Sequence, residues 1–509
     1  MTLDFVSGLD YFWALLPEFL LCGWGMVILL MGVSGRRDPR TEGALAAELP
    51  SHDLGYLTLA GLVVAALAHG WLYGVAEVGT EGLVAVDEFR LFAGWIFLIA
   101  AAFTVLMSFA YVYRQRLQAG EYYALILFAT AGMMFMAGAR DLIVIFLGLE
   151  VMSISVYALT AFNRRDRRSA EAGLKYFILG AFSTGFFLYG LALVYGATGS
   201  TNIEAVGTSV LAGNAHASLL PFGVGFLAVG FAFKVGAVPF HMWAPDVYEG
   251  APTPVTAFMA VAVKAAAFVA FFRVFLVGFI GIREVWYPIV WWIAAITMVV
   301  ANLLALAQFN VKRMLAYSSI AHAGYLMVAL AAANDRASAG MLFYLLVYAV
   351  MNMGAFAIVV IVGRQGEESL EVDDYAGLGA SNPALAVAFT IFLLALAGFP
   401  GTAGFMGKIF LLQGAADSGL WVLSTVLVLM TLVSYYYYLR LAWFMWMREA
   451  REGVSQGELF VPLPMRFALV AGAAVLLLLG VFPATIMEFA QGSVAAVSAF
   501  PELLQVLAP

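Results

Sequence analysis

Cysteine and charged side chains are both scarce in this sequence. Cys22 is the single cysteine among 509 residues, which excludes disulfides within the chain and a cysteine-ligated cluster built from it alone. Charged residues make up 11% of the chain, whereas a soluble domain carries roughly 25%. No GxGxxG or GxxxxGKS/T loop joins a strand to a helix, and no cluster has metal-ligand spacing. We therefore expect no nucleotide, redox cofactor or metal in this chain.

Hydrophobic residues, by contrast, make up 64% of the chain and are arranged in long runs. A membrane-spanning helix needs about 20 predominantly apolar residues. By that measure the sequence predicts an all-α, multi-pass membrane protein with about fourteen transmembrane helices and no sizeable soluble domain. The predicted spans are 11–33, 54–75, 91–112, 121–138, 140–162, 171–196, 219–240, 252–277, 287–305, 311–332, 340–363, 384–412, 420–447 and 463–489.

Basic residues are distributed unevenly between the loops on the two sides of these spans. Cytoplasmic loops carry an excess of lysine and arginine. We count fifteen on one side and four on the other, which predicts that both termini face outward and that the number of spans is even. The fifteen are Arg36, Arg37, Arg40, Arg114, Arg116, Arg164, Arg165, Arg167, Arg168, Lys312, Arg313, Arg364, Arg448, Arg451 and Arg466, and the four are Arg90, Arg140, Arg283 and Arg336.

The stretch from Gly230 to Pro254 places a lysine beside a helix break inside a predicted span. Lys234 is followed two residues later by Gly236, and then by Pro239, which would cost a helix interior about 3 kcal/mol. Freed backbone groups are tolerated in hydrocarbon only where protein or a wet cavity receives them. An ammonium group beside a broken helix is typical of ion pathways in transporters.

A second break is predicted in the twelfth span, where the run Gly398–Gly404 precedes Lys408. If spans 4–8 and 9–13 form two five-helix units, each broken helix is the fourth of its unit. The second unit is then inverted relative to the first, because five is an odd number. This scheme predicts N-terminal helices 1–3 over residues 1–120, a first unit over 121–278, an inverted second unit over 279–447, and helix 14 with the tail over 448–509.

Several spans carry ionisable side chains near mid-membrane depth. Glu150 in the fifth span and Lys234 in the seventh are expected to pair, because a carboxylate at that depth is costly unless paired, hydrated or protonated. Lys264 lies near the middle of the eighth span, and Lys408 follows the second break. His322 in the tenth span falls roughly where Glu150 falls in the other unit.

Other polar residues are open to two interpretations. Lys175 lies near the cytoplasmic end of the sixth span, where it could reach the surface or take part in transfer. His322 could exchange protons near neutral pH or stay neutral beside neighbouring serines. His241, Asp246 and Glu249 are expected to form a solvated loop at the cytoplasmic mouth. Glu150 could also form a static ion pair with Lys234 that fixes helix packing, and Lys264 could form a structural bond to a freed carbonyl of the broken seventh span.

The chemistry that these side chains allow is proton relay. A buried lysine loses its proton more readily when a neighbouring carboxylate moves away, so interacting sites can pass protons by coupled titration. The chain shows no acid–base–nucleophile set for hydrolysis. The candidate relay residues are Glu150, Lys175, Lys234, Lys264, His322 and Lys408.

Four motifs resemble the antiporter-like membrane subunits of respiratory complex I, the NADH:quinone oxidoreductase. The resemblance covers residues from about 85 to 490 and is strongest to the N-type members, which carry a lysine at the position of Lys408. The motifs are Lys234–Pro254, Lys312–Tyr325 (KRMLAYSSIAHAGY), Tyr348–Gly354 (YAVMNMG) and Ala397–Lys408 (AGFPGTAGFMGK).

The resemblance implies a fold of fourteen helices with two inverted units and a proton channel. It implies that Glu150 pairs with Lys234, that Lys264 is the central lysine, and that Lys175 and Lys408 are further relay positions. NADH, FMN, iron–sulfur and quinone sites are expected on partner subunits and none in this chain. The expected partners are other membrane subunits, including related antiporter-like ones, in a bacterial plasma membrane, with no nucleic acid.

Two other functions remain open from the sequence. The chain could be a subunit of a multisubunit Na+/H+ antiporter of the Mrp type, or a scaffold in which the buried charges are static. The lysine at position 408 and the amino-acid sequence of Lys234–Pro254 favour the complex I resemblance over the Mrp type.

Overall fold

The structure is a computed structural model that describes residues 1–34, 51–77, 82–117, 119–363, 370–450, 459 and 461–507. Within these residues the chain is almost entirely helical, apart from Thr2–Leu3, which pairs in parallel with Ala76–Glu77. The α-helices are α1 Gly8–Ala14, α2 Leu16–Ser34, α3 Ser51–Trp71, α4 Glu88–Arg114, α5 Ala119–Gly138, α6 Leu142–Thr160, α7 Arg167–Thr198, α8 Ile203–Leu211, α9 Leu220–Val235, α10 Ala244–Gly250, α11 Thr253–Phe258, α12 Lys264–Arg273, α13 Arg283–Leu306, α14 Val311–Ala332, α15 Asp335–Val362, α16 Leu378–Ser381, α17 Pro383–Ala397, α18 Ala403–Asp417, α19 Trp421–Met447, α20 Leu463–Val481 and α21 Ala484–Leu507.

Twelve helical segments in the described part of the chain are long and apolar enough to cross a membrane. Each of them overlaps one of the predicted spans. The two remaining predicted spans, 219–240 and 384–412, hold the shorter apolar helices α9 and α17. The all-α, multi-pass architecture is confirmed, whereas the total of fourteen spans stays a prediction.

Both short helices end at a glycine with left-handed backbone. α9 ends at Val235 because Gly236 adopts φ +72°, and α10 begins only at Ala244. In the same way α17 is followed by Gly398 with φ +80°, and α18 begins at Ala403. Glycine adopts this conformation at little steric cost, which is why it commonly follows the last residue of a helix.

Two predicted spans have different boundaries in the structure. Span 463–489 is divided into α20 and α21, because Pro483 cannot donate a backbone hydrogen bond and restricts the residue before it. Span 11–33 is divided into α1 and α2 at Leu15, just before Pro17. Proline is tolerated in the first turn of a helix, so α2 restarts there.

The middle of the molecule is formed by three helical segments that are buried almost completely. Within an apolar stretch of 18 residues in each segment, buried residues make up 94% in Thr253–Gly278, 94% in α14 and 89% in α15, but only 33% in α7 and 28% in α19. A helix that is apolar all round and enclosed on every side belongs to the interior of a bundle. Polar side chains on the three central segments must therefore find their partners within the protein.

Thr253–Gly278 contains two π-helical turns. One runs over Met259–Val263, immediately before Lys264, and the other runs over Val274–Gly278, immediately after Arg273. Single π turns inside α-helices occur frequently at functional sites.

The two predicted five-helix units share one local feature. Asp141 caps α6 and forms an isolated bridge with Asn202, and Asn310 caps α14 and forms a corresponding bridge with Glu371. The first bridge joins the start of α6 to the residues that follow α7, and the second joins the start of α14 to the residues that follow α15. The similarity is in keeping with two related units, although their inversion stays a prediction. Of the basic residues used to orient the chain, Arg36, Arg37, Arg40, Arg364 and Arg451 lie outside the described residues.

Candidate functional site

Lys234 is buried in the last turn of α9 and donates to two hydroxyl groups of α6. Its side-chain nitrogen lies 2.7 Å from Ser153 Oγ and 3.0 Å from Tyr157 Oη. The rings of Tyr157, Tyr176 and Phe233 surround the ammonium with centroids at 5.2, 5.9 and 5.9 Å. The charge is therefore held by hydroxyls and aromatic faces.

Glu150 does not form the expected ion pair with Lys234 among the described residues. Its carboxylate accepts a hydrogen bond from Thr184 of α7, with an oxygen–oxygen distance of 3.0 Å. Glu150, Ser153 and Tyr157 follow one another on one face of α6, three and four residues apart. The Lys234 ammonium donates to the two hydroxyls, and the Glu150 carboxylate is bound by Thr184, so the expectation of a direct contact is wrong for this structure.

Lys264 is 2% exposed and lies beside the break that follows α9. Its nitrogen donates to the Ser319 carbonyl at 2.8 Å and to the Ser319 hydroxyl at 2.6 Å. A methyl group added at Gly236 would lie 3.7 Å from this nitrogen, which shows how near the helix break is. Lys264 thus joins α12, which it begins, to α14.

His322 lies one turn after Ser319 on α14, between two tyrosines. Its Nδ1 lies 2.6 Å from the Tyr344 hydroxyl, and its Nε2 lies 3.2 Å from the Tyr438 hydroxyl. Tyr438 also hydrogen-bonds Ser318. The imidazole therefore belongs to a buried chain of hydroxyl groups rather than to a carboxylate pair.

Lys408 binds the carbonyl groups at the end of α17. Its nitrogen donates to the Ala397 carbonyl at 2.9 Å and to the Leu396 carbonyl at 3.3 Å. The last carbonyls of a helix lack partners within the helix and form the negative end of its dipole, so they stabilise an ammonium. The ring of Tyr325 faces the same nitrogen, with its centroid at 4.9 Å.

One face of α14 connects these lysines. Ser319, His322 and Tyr325 are spaced three residues apart and contact, in order, Lys264, two tyrosines and Lys408. The structure thus brings Lys264, His322 and Lys408 into one buried polar row. Lys234 and Glu150 lie at the Gly236 end of this row.

Lys175 is placed apart from this row, in an open cavity on the surface. Its side chain is 42% exposed and pairs with Glu171 at 2.8 Å and with Asp246 at 3.0 Å. Arg313 binds Asp246 and Glu249, each at 2.8 Å. Asp246 and Glu249 therefore belong to an ion network, and the expectation of a simple solvated loop is wrong for them.

This network fixes the charge of Asp246. Burial by itself would raise the pKa of its carboxyl, but hydrogen bonds from Arg313 and Lys175 outweigh that effect and lower the pKa below its ordinary value. Asp246 is therefore ionised throughout the neutral pH range.

Sequence reasoning missed the hydroxyl groups that surround the charges. Ser153 and Tyr157 could have been found, because they lie three and seven residues after Glu150 on the same helical face. Tyr438 could not, because it reaches His322 from more than a hundred residues further along the chain. The described residues contain no group of His, Cys, Asp or Glu that could hold a metal ion.

Residues 139–434 match the family model described as NADH:quinone oxidoreductase/Mrp antiporter, TM. The chain belongs to this family. NADH-quinone oxidoreductase subunit N of Trichlorobacter lovleyi is 46% identical, with 94% of this chain and 96% of that protein covered. The protein of the same name from Chloroflexus aggregans is 42% identical with the same coverage. The family expected from the motifs is confirmed.

Solved structures of this antiporter-like family have the same fold. A chain of respiratory complex I from Thermus thermophilus with bound aureothin is 35% identical, with a TM-score of 0.79 and coverage of 94% of this chain and 100% of that one. A chain of the Mrp complex from a Dietzia species is 20% identical, with a TM-score of 0.79 and coverage of 96% and 99%. At that identity the Mrp likeness shows the fold alone, so the complex I relationship is the stronger one.

Proposed function

We propose that this chain is an antiporter-like, N-type membrane subunit of NADH:quinone oxidoreductase, and that it moves protons through the buried polar row. The observation that carries the proposal is the placement of Lys264, His322 and Lys408 along one face of α14. The two lysines are 2% and 4% exposed, and both are bound by hydroxyl or carbonyl oxygens. Neither ammonium has a carboxylate partner in the part of the chain that the structure describes. Each can therefore lose its proton without leaving an unpaired negative charge behind.

Each candidate residue has a distinct role in the proposed relay. Lys175 stands at the cavity where protons arrive, and Lys234 receives them inside the first unit. Glu150 stabilises the charged form of Lys234 when it turns toward it, and withdraws that support when it binds Thr184. Lys264 passes the proton to the second unit, where His322 and its tyrosines connect it to Lys408, the residue nearest the outlet.

The predicted division of the chain gives each unit a task. Residues 121–278 take protons up and residues 279–447 release them, while helices 1–3 in residues 1–120 and the part over 448–509 support the two units. The chain is a multi-pass protein of the bacterial inner membrane. We place both termini on its outer side because the basic loops then face the cytoplasm.

The redox chemistry is assigned to partners. The chain acts as one subunit of an enzyme complex, and we propose that it oxidises nothing by itself. NADH, FMN, iron–sulfur clusters and quinone belong to the other subunits. The neighbours within the membrane are further subunits of the complex, including related antiporter-like ones.

Purification of the tagged chain from its native membrane tests this assignment. We expect subunits that oxidise NADH to copurify in equal amounts, and we expect NADH–quinone activity in the purified complex. The isolated polypeptide should show none. Copurification with cation/proton antiporter subunits alone, without redox partners, would favour the Mrp-type function instead.

A further inference from the structure

Two stacked aromatic side chains lie near Lys234, on the chain segments that also line the open cavity. The rings of Tyr176 on α7 and Trp243, just before α10, lie 4.4 Å apart and within 10° of parallel. Tyr176 is 1% exposed and Trp243 is 2% exposed. Both rings are therefore almost completely shielded from solvent.

On the cavity side, the same two segments are joined by an ion pair. Lys175 directly precedes Tyr176, and Asp246 lies three residues after Trp243, so the bond between Lys175 and Asp246 ties together the two segments that carry the rings. The cavity is lined by these two residues and by Ala172, which lies one turn before Tyr176 on α7. The cavity therefore ends close to the stacked rings.

On the inner side, the ring of Tyr176 faces Lys234. The centroid of Tyr176 lies 5.9 Å from the lysine nitrogen, and Tyr157, which accepts a hydrogen bond from Lys234, packs edge-on against Tyr176 at 4.7 Å. The indole N–H of Trp243 donates to the carbonyl of Phe233 at 3.1 Å. Trp243 is thus fastened to the residue that precedes Lys234.

We propose that Tyr176 and Trp243 form a gate between the cavity and Lys234, and that the ion pair between Lys175 and Asp246 holds this gate closed. This inference rests on the proposed function and names the point at which proton uptake is controlled. Asp246 is also bound by Arg313 of α14. When the bond between Lys175 and Asp246 breaks, α10 therefore stays bound to α14. Opening then separates the rings and admits water to Lys234.

Thiol labelling in the assembled complex measures the gate without turnover. Ser153→Cys, in a Cys22→Ala background, places a thiol beside Lys234, and 2-aminoethyl methanethiosulfonate is added from the cavity side of membrane vesicles. Removal of one ring by Trp243→Ala should speed modification about tenfold, on the scale of a lost aromatic contact. Trp243→Phe, which keeps a ring, and Asp246→Asn, which removes the charge that binds Lys175 to α10, should give smaller increases.

Phe186→Ala provides the matched control. Phe186 stacks on Phe226 at 5.6 Å between α7 and α9, the helices that also carry Tyr176 and Lys234, but it lies away from the cavity. This variant should leave the labelling rate unchanged. Labelling at the unaltered rate in both Trp243→Phe and Asp246→Asn complexes would overturn the gate, even if Trp243→Ala fails to assemble.

Proton leak under an imposed pH gradient, without NADH, separates the gate from the relay. Trp243→Ala should raise the leak, and adding Lys234→Met should return it to background because the leaking proton passes through that lysine. A leak that persists in the double variant would contradict the gate. If Lys234→Met alone leaves the proton-to-electron ratio unchanged, the proposed function fails. If it lowers the ratio while the gate variants neither leak nor label faster, only the gate fails.

Discussion

The two broken helices hold their lysines in different ways. Lys234 precedes its glycine and reaches the hydroxyls of α6, whereas Lys408 follows its glycine and binds the carbonyls at the end of α17. At the first break the Phe233 carbonyl is occupied by the indole of Trp243. At the second break the carbonyls of Leu396 and Ala397 receive the ammonium itself.

This difference shows that a similar backbone break can serve two purposes. Around Lys234 the partners are side chains that can rotate, and a carboxylate lies one turn away on α6. Around Lys408 the partners are backbone oxygens at the negative end of a helix dipole, which cannot turn away. We infer that the charge on Lys234 is adjustable, whereas the site of Lys408 is rigid.

The largest expected effect comes from alanine at the second glycine. At Gly398, with φ +80°, a methyl group would lie 2.9 to 3.2 Å from three side-chain atoms of Lys408. Gly398→Ala should therefore destabilise the complex by at least the left-handed backbone strain, on the order of 1–2 kcal/mol, and also displace the lysine. The midpoint temperature of thermal unfolding and the proton-to-electron ratio of the purified complex should both fall.

Gly236→Ala sharpens the comparison. Its backbone is equally left-handed, but the added methyl group would meet ordinary contacts of 3.7 to 3.9 Å. We expect only the strain of about 1–2 kcal/mol and little loss of pumping in complexes that assemble. If the two substitutions lowered stability and pumping equally, the Lys408 side chain would be able to move aside without cost, and its site would not be rigid.

A loss of proton pumping smaller than that of Gly398→Ala is expected from deletion of single hydroxyl groups. Ser153→Ala removes one of the two bonds that hold Lys234, and a lost hydrogen bond to a buried charged group costs about 1–3 kcal/mol. Tyr325→Phe keeps the ring that faces Lys408 and removes none of its acceptors. Proton uptake in vesicles should fall for Ser153→Ala and stay near the original value for Tyr325→Phe. The reverse order would contradict the assignment of an adjustable and a rigid site.

The smallest effect is expected from mild changes of pH on the Asp246 network. Because the folded-state pKa of Asp246 is lowered, its stabilising contribution is complete above the ordinary carboxyl pKa and is lost only as the pH falls through the lowered value. Labelling of the gated thiol, corrected for ionisation of the thiol itself, should be constant between about pH 6 and 8. A strong dependence on pH in that window would mean that another group controls the gate.

The sequence predicted features that depend on neighbouring residues in the chain. The breaks could be foreseen because Gly236, Pro239 and Gly398 act on their own backbone, and the depth of Lys264 follows from its position in a long apolar run. The contact between Glu150 and Lys234 was predicted wrongly, since the charges of the two residues do not reveal that the Lys234 ammonium donates to Ser153 instead. The identity of a side-chain partner depends on which helices become neighbours.

The same limit applies to the cavity. Lys175, Asp246 and Arg313 come from three separate helices, and nothing in their local sequence indicates that they meet. The stacking of Trp243 on Tyr176 is equally non-local. By contrast, the family relationship was evident from the motifs, because these are short contiguous runs.

The proton-to-electron ratio of a Lys264→Met complex tests the central claim most directly. Lys264 is buried, has Ser319 as its hydrogen-bond partner and joins α12 to α14, so a neutral side chain should interrupt the row. Arg336→Gln, which removes an exposed cation paired with Asp417, serves as the control. With equal amounts of assembled complex, the account predicts a lower ratio for Lys264→Met and an unchanged ratio for Arg336→Gln. An unchanged ratio for Lys264→Met would show that this lysine carries no obligatory proton.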